Sequence, residues 1–127
     1  MKRLGPVVPL LLAAVALTGA GQSSENPFTG DVAAIEQGRA LMGAACGGYC
    51  HATTEGEATD APDLFDCEWW HGDTDTDLFG VIRDGVPDTR MQRFGGILAD
   101  DDIWRLVTVI RADSRCEEGG RAAPDPR

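Results

Sequence analysis

The feature that most constrains this chain is the hexapeptide Cys46-Gly47-Gly48-Tyr49-Cys50-His51. Two thiols and an imidazole sit close together, and the imidazole directly follows the second thiol. This spacing suits covalent haem attachment, in which both sulfurs add to vinyl groups of the porphyrin and the adjacent His becomes an iron ligand. The spacer holds three residues where two are usual, so the pattern is C-x-x-x-C-H. The step that matters for iron, Cys50 to His51, is intact. A glycine pair allows the spare residue to bulge out and bring Cys46 back into reach. Two other chemistries fit the same residues. The thiols could close a local disulfide, or Cys46, Cys50 and His51 could join the Cys67 and His71 pair, from which a Cys/Cys/Cys/His zinc site can be drawn.

The compartment bears on this choice. Lys2 and Arg3 precede an apolar run from Val7 to Leu17, then small residues with Thr18 and Ala20 at −3 and −1 of a cut. The run is shorter than the roughly 20 residues a membrane span needs. It predicts a cleavable signal over residues 1–20, a soluble periplasmic or otherwise exported product, and no integral membrane segment after cleavage. Disulfides persist outside the inner membrane, so each of the four cysteines needs an account. With Cys46 and Cys50 assigned to haem, Cys67 and Cys116 are expected to form one disulfide, two free buried thiols being the alternative. It would close a loop of about 50 residues, worth ~2–4 kcal/mol.

Loss of Lys2 and Arg3 takes the formal charge from −10 to −12. Such acidity excludes nucleic acid as a partner, because phosphates would be repelled. It suits a soluble chain that meets a basic docking patch. A chain this short has little apolar area of its own to bury, and a porphyrin at its centre would supply more.

Residues 21–30 read as a polar N-terminal arm. Asp31 offers a helix N-cap, and Val32, Ile35, Leu41 and Met42 place apolar groups along one side of a helix reaching about Ala45. Gly38 within it would let another helix approach closely. Residues 52–61 read as surface loop. Near Pro62 a rigid carbonyl could accept the Nδ1–H of His51 and fix its ring. Trp69 and Trp70 are candidates to pack beside the cofactor, and His71 is a second, weaker candidate for the iron. Residues 73–84 predict a short amphipathic helix with a Thr or Asp cap, inward Leu78, Phe79 and Ile82, and a stop at Gly85 and Pro87. The irregular stretch that follows carries Met91, whose thioether is a soft ligand well suited to haem iron. Arg90 and Arg93 beside it could balance propionate charge or keep the loop soluble. The last helix, about Asp100 to Ala112, has three acidic residues at its positive end and an Ile103, Leu106, Val107, Ile110 stripe. Residues 117–127 carry no pattern and read as a flexible tail.

The order of these features, from Gly38 through Cys46…Cys50-His51, Pro62 and Gly85-Val-Pro…Met91…Phe94-Gly95-Gly96 to the closing Leu98–Arg111 segment, resembles a small monohaem class I c-type cytochrome over about residues 31–112. The resemblance implies an all-α class I cytochrome c fold of three to five helices around one covalently bound haem c, with the domain spanning 31–116. It implies helices crossing near Gly38 and Leu106, thioethers at Cys46 and Cys50, and axial ligands His51 and Met91. It implies a monomeric electron carrier, not an enzyme, which moves single electrons between exported partners such as a dehydrogenase, oxidase or reductase. Such cytochromes usually hold an aromatic where Val109 stands, and often one at Met42, so the helix crossing should pack more softly here. The rival classes are a zinc- or disulfide-stapled exported binding module and a gas-binding haem protein.

Overall fold

The structure, a computed structural model, describes residues 25–48, 50–52 and 59–115. The expected signal, the tail, Tyr49 and Cys116 lie outside the described residues. Within them the architecture is helical and without strands: α1 Val32–Leu41, a π-turn Met42–Cys46, α2 Asp75–Asp84 and α3 Asp100–Asp113.

Helix α1 starts where Asp31 caps it. The carboxylate accepts from the N–H of Ala33 at 2.8 Å and of Ala34 at 3.0 Å, satisfying donors the first turn would leave bare. Its buried positions are Ala34 and Gly38, one helical turn apart. That stripe corrects one expectation. Val32 stands two residues from Ala34, about 200° around the helix, and is 78% exposed rather than inward. The helical path reaches Cys46, close to the expected Ala45, but changes type on the way. The α-helix stops at Leu41, and its last turn widens into a π-turn closed by Gly47 N–H donating to the Met42 carbonyl at 2.9 Å.

Helix α3 is the spine. Ile103, Leu106 and Val107 have no exposed surface, and Thr108, Val109 and Ile110 are also buried, a wider inward face than the four-residue stripe predicts. Helix α1 crosses α3 at Gly38. A β-carbon on Gly38 would lie 2.5 Å from the Arg105 carbonyl oxygen and 2.5 Å from Val109 Cγ2. The approach therefore runs between Arg105 and Val109. An exposed Arg39–Asp113 ion pair flanks it, with contacts of 2.6 and 2.9 Å.

Helix α2 carries a capping box. Thr74 Oγ1 accepts from Asp77 N–H at 3.1 Å, and the Asp77 carboxylate accepts back from Thr74 N–H at 3.1 Å. Leu78, Phe79 and Ile82 face inward as expected, and Phe79 stacks on Trp104 of α3 with centroids 4.3 Å apart. Arg111 ties the two helices together. Its Nε lies 2.7 Å from Asp75 Oδ1, it also donates to the Asp73 carbonyl, and its guanidinium sits over the Trp69 ring.

The arm before α1 is not loose from residue 25 onward. Asn26 is buried and its amide donates to Thr108 Oγ1 at 3.0 Å. Arg105 lies over the Phe28 ring, 4.7 Å from its centroid. Ala52, read as surface loop, is buried as well. At the other end, Arg115 N–H donates to the Phe65 carbonyl at 2.9 Å and its guanidinium reaches Asp63 at 2.6 Å. These contacts fasten the 62–66 segment to the end of α3.

Candidate functional site

One large cavity, about 660 Å³, lies between α3, α2 and the two long loops. Its volume falls in the ~300–1,000 Å³ range of ligand pockets. Leu106 and Ile110 of α3, Leu78, Val81 and Ile82 of α2, and Leu64, Phe94 and Met42 give it apolar walls. Into it come Cys46, Cys50, His51, Pro62, Trp69, Trp70 and Met91, all seven expected to meet the cofactor or its iron.

The hexapeptide absorbs its spare residue by closing a wider ring. His51 N–H donates to the Cys46 carbonyl at 2.9 Å, five residues back. Gly48 turns the chain with φ +80°, in the left-handed region that favours glycine. Both thiols therefore remain on the cavity wall, and both are free. Cys46 is half-buried, and that burial, with a smaller contribution from Cys50, pushes its thiol up to about 11. Cys50 is exposed. Ionisation at Cys46 therefore costs more than for a thiol in water, because the thiolate would lose its hydration.

His51 Nδ1 lies 2.8 Å from the Pro62 carbonyl oxygen. A carbonyl only accepts, so in the neutral ring Nδ1 carries the proton and Nε2 keeps its lone pair. That is the tautomer a metal-binding imidazole needs, with its ring orientation fixed from behind.

Met91 is held by its backbone. Its N–H donates to Thr89 Oγ1 at 3.1 Å, and its carbonyl accepts from Val86 N–H at 3.0 Å. The returning arm of the loop then satisfies α2, with Phe94 N–H on the Ile82 carbonyl at 3.1 Å and Gly95 N–H on the Arg83 carbonyl at 2.8 Å. These are carbonyls that the helix end would leave unpaired.

Of the two arginines beside Met91, Arg90 is ion-paired with Asp60 at the cavity rim and Arg93 is absent from the lining. Trp69 is buried, while Trp70 is partly exposed at the rim beside His71. Cys67 is buried and disulfide-bonded, so it is no thiolate for zinc; Cys116 lies outside the described residues. Among the described residues, no three His, Cys, Asp or Glu side chains are grouped to share a metal ion. No helix among them is long and apolar enough to cross a membrane.

Sequence reasoning did not place the walls. The α3 stripe reads equally as plain core, yet Leu106 and Ile110 also border the cavity. Thr89 and Val86, which hold Met91, carry no signal of their own beyond proximity.

The donor set fits a haem: two free thiols, an imidazole with Nε2 available and a thioether surround one apolar chamber. A family model described as cytochrome c oxidase, cbb3-type, subunit III matches residues 33–109, well over half of the 127-residue chain. No curated protein and no solved structure gives a match.

Proposed function

The chain belongs to the family of cytochrome c oxidase, cbb3-type, subunit III, and from that membership we propose that it carries single electrons between exported redox partners on one haem c held by Cys46, Cys50, His51 and Met91. A covalently bound haem c with its iron is the cofactor that membership implies. When bound, the group supplies a one-electron iron couple, with a potential raised where Met stands opposite His.

The chain's own residues do the rest. Cys46 and Cys50 tether the ring by thioethers. His51 would offer Nε2 to the iron while the Pro62 carbonyl holds its other nitrogen, and the Met91 thioether would be the second protein ligand. Leu106, Ile110, Ile82 and Phe94 keep water from the centre, so little solvent must reorganise when charge moves. Trp69 and Trp70 pack beside the group, and an indole N–H is a ready donor for a propionate. A Cys67–Cys116 disulfide ties the middle loop to the end of α3. Residues 1–20 act as the export signal, the product is a periplasmic monomer, and its acidic surface meets a basic patch on a dehydrogenase, oxidase or reductase.

The observation that carries this reading is the His51 Nδ1–Pro62 contact of 2.8 Å beside the cavity that both thiols and Met91 line. The test is spectroscopic. Purified protein gives a pyridine haemochrome α-band at the two-thioether position, and Met91→Ala abolishes the weak red-end band of a sulfur–iron bond and lowers the midpoint potential. A colourless protein, or a Met91→Ala spectrum identical to the parent's, refutes it.

A further inference from the structure

Gly85 ends α2 with φ +75° and ψ −175°, a region essentially confined to glycine. Its N–H still donates to the Val81 carbonyl at 2.9 Å, so it belongs to the helix while the chain turns away. A β-carbon there would lie 2.7 Å from the Met91 carbonyl oxygen, 2.8 Å from Arg93 N and 2.9 Å from Gln92 C. All three are main-chain atoms, which cannot swing aside as a flexible side chain would. The Met91 carbonyl is also the acceptor for Val86 N–H. The bare α-carbon of Gly85 is thus the surface on which residues 91–93 rest.

We propose that Gly85 is a positioning residue for the Met91 sulfur: it lets the 91–93 backbone close onto the end of α2, and this close approach holds the thioether at the cavity. The inference rests on the reading above, that Met91 is an axial ligand. Any side chain at 85 lifts the loop away from Val86 and weakens the sulfur's hold.

Gly96 supplies the control. It too has a positive φ, +86°, which L side chains rarely adopt, yet nothing lies within 4 Å of its β-carbon position. The experiment titrates haem-loaded ferric protein with imidazole, which must displace the sulfur, and records the red-end sulfur–iron band. Gly85→Ala is expected to bind imidazole about tenfold more tightly than the parent, ~1.4 kcal/mol, with a weakened band before titration. Gly96→Ala is expected to lose thermal stability yet bind imidazole like the parent. Equal imidazole affinities in Gly85→Ala and Gly96→Ala overturn the proposal. If Gly85→Ala does not accumulate as holoprotein, Thr89→Val removes the hydroxyl that holds Met91 N–H from the other side, and a smaller gain in the same direction is expected. No gain there overturns the proposal equally. Met91→Ala separates the two readings. If it raises imidazole affinity and the Gly85 variant does not, only the positioning role fails; if it changes nothing, Met91 is not the ligand and both fall.

Discussion

Replacing Gly38 with alanine sets two effects of opposite sign against each other. Alanine is the better helix former by ~1 kcal/mol in a helix interior, so propensity alone favours the variant. Packing opposes it. The new methyl would stand 2.5 Å from the Arg105 carbonyl oxygen and 2.5 Å from Val109 Cγ2. Val109 has one β-branched side chain to rotate, but the carbonyl belongs to α3 itself, so relief requires the helices to part. Overpacking of a tight core contact costs ~1–3 kcal/mol, occasionally more. Set against the propensity gain, the mid-range expectation is a net destabilisation of about 1 kcal/mol, or a fall of roughly 4–8 °C in midpoint for a domain of this size. Gly80, inside α2, is the matched comparison, since nothing lies within 4 Å of its β-carbon position. Gly80→Ala should stabilise by ~0.5–1 kcal/mol. Thermal unfolding of the haem-loaded proteins, followed by far-ultraviolet circular dichroism, measures both. A Gly38→Ala midpoint at or above the parent's would show that the α1–α3 approach yields easily, and the argument from close contact would fail.

Asn26→Ala removes the buried amide that donates to Thr108 and should cost ~0.5–1.5 kcal/mol in denaturant unfolding; Thr108 keeps its 2.9 Å bond to the Trp104 carbonyl, so a larger loss would point to a wider role for the arm. The Thr74 hydroxyl and then its N–H hold the Asp77 carboxyl below the usual range. Because that folded value is depressed, its contribution is present above the unfolded value of about 3.9 and is lost as pH falls through the folded one. Thr74→Ala should flatten this acid limb of the stability profile, and an unchanged limb would remove the capping box from the account. Arg90 and Asp60, paired but well exposed, should show a double-mutant coupling below about 1 kcal/mol that fades at high salt.

The helices were readable because each carries its own signal. Asp31 is a cap followed by a helical run, Thr74 and Asp77 are spaced for a reciprocal box, and the Ile103–Ile110 stripe has helical period. That Cys46, Cys50, His51 and Met91 would come to one place was readable because thiol, imidazole and thioether are scarce. What the sequence hid depends on contacts distant along the chain. Val32 is as apolar as Ile35, and only the position of the Ala34–Gly38 stripe against α3 decides that it faces water. Asn26 is polar and precedes any helix, so nothing local predicts its burial against Thr108, 82 positions away. The Met42–Cys46 π-turn has no residue signature. It depends on how the last turn of α1 meets the ring closed by His51 N–H.

The seat that Asn26 takes on α3 changes where this molecule can be cut. Family similarity begins at residue 33, and trimming to that boundary would look harmless on a schematic. It would strip a lid from the back of the spine, admit water to Thr108 and uncover the Arg105 guanidinium now shielded by Phe28. The smallest fragment that should still refold faithfully therefore starts ahead of Asn26, and affinity tags placed at the front need a spacer before that asparagine.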